Sequence, residues 1–377
     1  MDEVPPELPF LSTVGLMLTY KCTIACPHCI VEAGPHRKEE IPLEQALAWI
    51  EEMRHYRNGQ IRGLALTGGE PFCQLDNLAQ VSSRGAELGF IVSVVTNAFW
   101  ASSGMEALAV LKAVPAIQVL SVSTDAYHLP FVPLDNIRHA VWAARELGLP
   151  YNVAVCTHDE DAPEYLAIVR ELSTFVESNQ LRLAITYPAG RARKRSRRLD
   201  FRTAFEPTVS ACAMAASPVV FPNGSVNACI GPVLTLPPSH PLYLGNLYQE
   251  PIAQILDRAE TNLVLHAIRV WGPHKLVSLL SQSPVHMLLP REYICNCVCD
   301  ACFKIMSKPI LVRELETIFQ NPKMRDILSY ARLYYLHESA LVEHYGVIWE
   351  EKVSSDLRCD TADVKLAIAN KSLEATR

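Results

Sequence analysis

No uninterrupted run of about 18 apolar residues, the length that crosses a bilayer, occurs in this chain of 377 residues, so no membrane span is expected. The N-terminus, Met-Asp-Glu-Val-Pro-Pro-Glu, has no basic region followed by an apolar stretch, and no signal peptide is visible. Basic charge is short as well: 34 Lys and Arg face 40 Asp and Glu, a net charge of −6. Broad phosphate binding needs the opposite balance, which argues against a nucleic-acid partner. Internal repeats and long low-complexity tracts are lacking. With 49% hydrophobic and 20% charged residues, the chain can bury a large core, and wholesale disorder is excluded. Its length predicts two or three domains.

What is present is cysteine. Twelve are too few for a disulfide scaffold of this length. With no secretion signal, the expected location is the cytoplasm, where clustered cysteines hold metal or do chemistry.

From 13 to 187 short β-branched runs alternate with longer amphipathic segments. Strands are expected at 14–19, 61–67, 90–96, 117–123, 151–156 and 181–187. Helices are expected at 43–55, 78–88, 105–112, 136–147 and 163–177. Such alternation implies an α/β fold with a parallel sheet, curled into a full or partial barrel. Functional residues of such sheets collect where strands end. From 205 to about 310 the chain is richer in Pro and Cys and poor in helical pattern, and periodicity returns from 312 to about 352.

Directly after the first strand, Cys22, Cys26 and Cys29 stand in a Cys-x3-Cys-x2-Cys spacing. Three thiolates on one short loop can converge on one cofactor and leave one coordination position free. An iron–sulfur cubane held this way keeps an open iron that can bind a small molecule and pass it an electron. Zinc with a distant fourth ligand and a Cys26–Cys29 redox dithiol are the bland alternatives. Cys22 argues against the dithiol, which has no use for a third thiolate. The second strand ends Gly68-Gly69-Glu70-Pro71. Alone this is a turn signal; one βα unit after the cysteines, a parallel fold sets it at the same rim.

This combination over roughly 13–190 resembles the radical S-adenosylmethionine (SAM) superfamily. The resemblance implies a partial (βα)6 barrel, with a [4Fe–4S] cluster on Cys22, Cys26 and Cys29 that chelates SAM through its open iron. It implies that Gly68, Gly69 and Glu70 meet the methionyl ammonium. Asn97, at the third strand end, and Ser123 and Asp125, in a Ser-x-Asp turn at the fourth, are further implied contacts to SAM or substrate. Turn-making explains Ser123 and Asp125 equally well. The family often has Gly where Ala126 stands and an aromatic where His28 stands, and the fifth strand offers no Arg for the SAM carboxylate.

A second set follows. Cys212 and Cys229 frame Pro222-Asn223-Gly224, a turn signal between two apolar runs that predicts a hairpin with its end cysteines close together. Cys295, Cys297, Cys299 and Cys302 crowd into eight residues. Cys212–Gly224–Cys229 resembles the opening pattern of the SPASM/twitch extension, and Pro188-Ala189-Gly190-Arg191 resembles the motif that leads into it. The twitch form implies one auxiliary cluster, on Cys212, Cys229, Cys299 and Cys302, with Cys295 or Cys297 as substitutes. A structural zinc is the alternative. The expected division is 1–200 for the barrel, 201–310 for a cysteine-rich α+β extension and 311–377 for a helical C-terminal region.

Cys73, Cys156 and Cys359 are lone and are read as apolar filler. His128 and His158 follow the fourth and fifth strands; each is read as a solvated loop histidine, with contact to substrate as the alternative. The basic run 191–198 is read as a solvated loop or as a site for an anionic substrate or acidic peptide; no aromatics interleave it as RNA would require. The expected activity is reductive cleavage of SAM and hydrogen abstraction in the oxidation or cross-linking of a ribosomally made peptide, with an external donor of flavodoxin or ferredoxin type. Only about a dozen residues precede the first strand, so a peptide is expected to need a separate recognition partner or the C-terminal helices. Oxidation of a small alcohol or aminosugar is the runner-up, and a thiol oxidoreductase or zinc-stabilised interaction protein is the reading from another class.

Overall fold

The computed structural model describes residues 10–194, 201–336 and 338. The chain divides into a large unit, Pro9–Leu328, and a small one made of Met1–Leu8 and Ser329–Arg377. In the large unit strands and helices alternate as β1 Thr13–Met17, α1 Leu43–His55, β2 Gly63–Thr67, α2 Leu75–Glu87, β3 Ile91–Thr96, α3 Gly104–Ala113, β4 Val119–Ser123, α4 Leu134–Glu146, β5 Tyr151–Thr157, α5 Pro163–Leu172 and β6 Leu181–Ile185. The six strands lie side by side in chain order, all parallel. This is the mixed α/β architecture of a partial barrel.

The local causes are plain in the sequence. Leu64 and Leu66, Val92 and Val94, Leu120 and Val122, and Val153 and Val155 alternate along β2 to β5 and are almost wholly buried. Period-two apolar residues of branched shape suit such a sheet. α1 buries Ala46, Trp49, Ile50 and Met53, and α4 buries Ile137, Ala140, Val141 and Ala144, both one helical face. Ser103 caps α3 by accepting a bond from the Glu106 amide at 3.3 Å. The fifth helix ends at Leu172 rather than near 177.

Past β6 come β7 Thr203–Ala204, β8 Val219–Val220, β9 Ser225–Asn227, β10 Tyr243–Asn246, α6 Ile252–Glu260, α7 Leu263–Val270, α8 Pro273–Ser281, β11 Tyr293–Ile294, α9 Val298–Met306, α10 Pro309–Gln320 and α11 Pro322–Leu336. The expected hairpin exists as β8–β9. The expectation that 205–310 is poor in helix needs correction: α6 to α9 lie there. Each has only eight or nine residues, and Pro251 and Pro273 start two of them, so the apolar period is too short to stand out from the surrounding prolines. The helical region expected from 312 starts at Pro309 and is interrupted between Gln320 and Pro322; residues 337 and 339–377, with Cys359, lie outside the described residues. No helix among the described residues is long and apolar enough to cross a membrane.

The extension does not stand apart from the sheet. β8 pairs in parallel with β1 through Gly15↔Val219 and Leu16↔Val220, and β9 and β10 continue the sheet antiparallel, for nine strands in the order β10-β9-β8-β1-β2-β3-β4-β5-β6. Met17, Val219 and Phe221 form an apolar cluster there, joined by Tyr20, Val31, Ile230 and Leu234. On the outer side Tyr56 donates to Asp257 at 3.0 Å, tying the end of α1 to α6. α7, α8, α9 and α10 pack on one another. In the small unit, Arg332 pairs with Glu338 at 2.6 Å and Tyr330 stacks on Tyr334.

Leu66 lies at the centre of this core, wholly buried on β2. Leu66→Ala is expected to lower stability by about 2–5 kcal/mol in urea unfolding. A loss well under about 1 kcal/mol would mean that β2 is not part of the packed core.

Candidate active site

The segment after β1 is doubled back and stitched to the end of β2. The Leu18 amide donates to Thr67 O at 2.8 Å, Gly69 N to Thr19 O at 2.6 Å and Glu70 N to Lys21 O at 2.9 Å. The return strand of the loop is held by Cys22 N to Gly34 O at 3.2 Å, Gly34 N to Tyr20 O at 3.1 Å and Ile41 N to Leu18 O at 2.8 Å. The glycine pair makes this possible. A Cβ on Gly68 would stand 2.7 Å from Thr19 O, and one on Gly69 2.3 Å from Lys21 O. The close approach that glycine permits is thus used by the root of the cysteine loop itself.

The three thiols line one cleft of about 140 Å³ at the carboxyl ends of the strands, with His28, Gly68, Gly69, Asn97, Ser123 and His128. Cys22 and Cys26 are buried and Cys29 is partly so. Burial pushes the Cys22 thiol up to about 12. It pushes Cys26 higher, with the negative charges of Cys29 and Asp125 adding to it. Cys22 and Cys26 are thus poor anions by themselves, and a coordinated metal removes that penalty by deprotonating thiols outright. Asn97 Nδ2 also donates to Cys22 Sγ at 3.6 Å, the kind of bond that accompanies cluster sulfur ligands. The donor set therefore fits thiolate-bound iron.

Glu70, the next residue of the motif, is wholly buried, and its carboxylate is held by the ends of β2 and β3. Oε1 accepts from Phe72 N at 3.2 Å and Thr96 Oγ1 at 2.9 Å, and Oε2 accepts from Asn97 N at 2.7 Å. All three donors lie on its own turn or at the end of β3, so Glu70 ties β2 to β3. The residues of this motif that face the cleft are Gly68 and Gly69. Burial raises the carboxyl to about 7 against the pull of those donors.

Asp125 serves as both turn-maker and bridge. Its Oδ1 accepts from the amides of Tyr127 at 2.8 Å and His128 at 3.0 Å. His128 Nδ1 lies 2.8 Å from the same carboxylate, and His28 Nε2 3.3 Å away on the other oxygen. Burial alone would raise this carboxyl; the two histidines outweigh it and hold it well below the usual range. The ring of His28 packs on Tyr127 at 4.6 Å, and Tyr127 Oη meets His158 Nδ1 at 2.8 Å. His128 thus joins the wall of the cleft, and His158 lies behind it as the partner of Tyr127. Their place at the ends of β4 and β5 was the available signal.

Gly190 and Arg191, noted in the sequence only as part of a motif leading into the extension, also meet the cysteine loop. Gly190 packs against the backbone of Cys29 and Ile30, and Arg191 bonds the carbonyls of Cys26, Cys29 and Ala33. Arg191 belongs to the run read as a solvated basic loop, and charge counting hides a guanidinium turned inward. Residues 195–200 of that run lie outside the described residues.

The structure brings the second cysteine set together from three elements. Cys212 N donates to Ile268 O of α7 at 3.1 Å, Cys229 follows β9, and Cys299 and Cys302 share the first turns of α9. Burial drives Cys302 well above its ordinary value, and the charges of Cys229, Cys299 and Cys212 add to it. Cys299 is raised by burial and by Cys297, Cys212 and Cys229; Cys229 rises to about 12 through burial and Cys212. These four are close enough to feel one another, and four sulfurs suit a cubane or zinc. Cys297 is raised to about 11 by burial and by Asp300, while Cys295 bonds the Arg202 carbonyl through its amide. Cys73 and Cys156 are both raised by burial, and Cys73 is near enough to add to the rise at Cys22.

Residues 16–172 match the Radical SAM superfamily, and the chain carries a radical SAM domain over that stretch. A Bacillus subtilis (strain 168) protein assigned by name to peptide biosynthesis, YydG, is 20% identical over 295 residues, covering 77% of this chain and 90% of that one. The crystal structure of BtrN with AdoMet and 2-DOIA is 13% identical, with a TM-score of 0.39 over 70% of this chain and 89% of that one.

Glu70 sets a pH test. Its ordinary value is 4.5, against about 7 in the fold. Between these values the folded state keeps a proton that the unfolded chain has released, so its contribution is complete below 4.5 and is lost as pH rises through 7. Glu70→Gln carries no such proton and loses only a pH-independent bond. The stability of wild type relative to this variant is expected to fall, on the order of 1–3 kcal/mol, between pH 4.5 and 7.5 in urea titrations of the apoprotein. A difference that stays flat over this range contradicts the assignment.

Proposed function

We propose that the radical SAM domain of this chain holds a [4Fe–4S] cluster on Cys22, Cys26 and Cys29, cleaves SAM reductively, and takes a hydrogen atom from a ribosomally made peptide that is thereby oxidised or cross-linked. The observation that carries this reading is the meeting of three thiols, two of them buried, with the Gly68–Gly69 backbone and Asn97 in one cleft at the strand ends. When bound, the cluster supplies one electron to the sulfonium of SAM, which releases a 5′-deoxyadenosyl radical.

The chain's own residues bind, orient and enclose. The stitched loop brings three sulfurs to one cleft, and Asn97 directs its amide at one of them. Gly68 and Gly69 leave backbone polar groups, without side chains, for the amino-acid end of SAM. Asp125 holds His28 and His128 in fixed orientation beside the thiols, and Tyr127 with His158 extends that polar wall toward the substrate side. A site shielded in this way keeps water from a reactive radical.

Cys212, Cys229, Cys299 and Cys302 are proposed to hold one auxiliary [4Fe–4S] cluster, which takes an electron back from the substrate. An external donor of flavodoxin or ferredoxin type supplies the first electron. A peptide substrate is supported by likeness to a protein assigned to peptide biosynthesis, and a separate recognition partner would present it.

Anaerobic reconstitution should give about eight irons and eight sulfides per chain, the content of two cubanes. About four of each plus one zinc would place zinc in the extension. Replacing Cys22, Cys26 and Cys29 together by Ala should remove about half of the iron and abolish 5′-deoxyadenosine formation with dithionite. Unchanged nucleoside formation refutes the assignment.

A further inference from the structure

Beyond β6 the chain turns back onto the cysteine loop. Gly190 adopts φ +57°, and a Cβ there would lie 2.3 Å from Ile30 O and 2.7 Å from Cys29 O. Only glycine allows the backbone to come this close. The next residue uses that approach. Arg191 N donates to Cys29 O at 3.0 Å, Nη1 to Cys26 O at 2.6 Å and Nη2 to Ala33 O at 2.6 Å. Among the described bonds of the loop, Cys26 O also receives Cys29 N, at 3.2 Å. Arg191 therefore bonds the carbonyls of two of the three thiol-bearing residues and of the start of the return strand.

We propose that Arg191 is a positioning residue for the SAM-binding cluster: its guanidinium presets the 26–33 segment for three-sulfur ligation and places one fixed positive charge beside it. The inference rests on the cluster assignment made above. Two physical effects are separable. The rigid planar fork reaches two carbonyls at once, which the single ammonium of lysine does not do. The charge favours the more negative, reduced form of the cluster, an effect that lysine retains and glutamine lacks.

The test compares wild type, Arg191→Lys and Arg191→Gln as reconstituted full-length protein. The cluster is identified by the electron paramagnetic resonance signal that shifts when SAM is added. Loss of that signal to an iron chelator, and its midpoint potential, are the two readouts. Arg191→Gln should lose the signal at least tenfold faster. Its reduction equilibrium should shift about tenfold toward the oxidised form, about 59 mV more negative for one electron. Arg191→Lys should match the fast loss while keeping a midpoint near wild type. A merely structural arginine would not split the two readouts in this manner. Wild-type loss rate and midpoint in Arg191→Gln overturn the proposal. Should that variant fail to fold by circular dichroism, a wild-type loss rate in Arg191→Lys overturns it instead. A wild type without any SAM-sensitive signal brings down the cluster assignment, and this inference with it, whereas an intact wild-type signal with indifferent variants brings down this inference alone.

Discussion

The site depends on one backbone crossing. The ends of β1 and β2 pass so close that Gly69 N reaches Thr19 O at 2.6 Å and Glu70 N reaches Lys21 O at 2.9 Å. No side chain fits between them. The crossing sets where the cysteine loop begins, and the Gly34–Cys22 and Ile41–Leu18 bonds set where it returns. Glu70, buried beneath, anchors the crossing to β3 through Thr96 and Asn97. Asn97, positioned by that bond, then turns its amide to Cys22. Three strand ends and one loop are thereby fixed by a handful of short hydrogen bonds, which is what a site with exacting ligand geometry requires.

Electrostatics give the arrangement its direction. Two groups of cysteines are gathered in buried places where each one makes its neighbours harder to ionise. Burying like charges together is costly without a cation between them. Nothing in ordinary packing calls for such groups, since single buried thiols fill apolar space as well. Both are intelligible as metal-binding places, and the superfamily whose model matches residues 16–172 implies a [4Fe–4S] cluster and SAM.

The extension meets the barrel through the sheet. β8 adds to β1, the strand that leads into Cys22, and Met17 packs against Val219 and Phe221 across that junction. The hairpin and α9 then converge on the second cysteine group. The cysteine loop is gripped from the barrel side by the glycine pair and from the chain leaving β6 by Gly190 and Arg191. One short loop is the meeting point of segments more than 160 residues apart.

Much of this was legible in order of sequence. Alternating Val, Leu and Ile runs, separated by amphipathic segments, determined the six parallel strands and their helices, because burial of every second residue selects apolar, branched side chains at those places. The Cys-x3-Cys-x2-Cys spacing, the glycine pair at the next strand end and the Asn-Gly turn of the hairpin are local signals; the turn joins β8 to β9, and the cysteines and glycines line one cleft. The tertiary structure decided what local signals cannot carry. Glu70 turned inward because three donors from its own turn and β3 surround it, and those donors are neighbours only after folding. His28, Asp125 and His128 meet for the same reason. Arg191 sits in a run of basic residues that reads as solvated, and its actual partners are carbonyls of Cys26 and Ala33, which have no signature in sequence at all. Spacing along a chain identifies which side chains share a loop or a face; only the packing of strand ends against one another determines which atoms they touch.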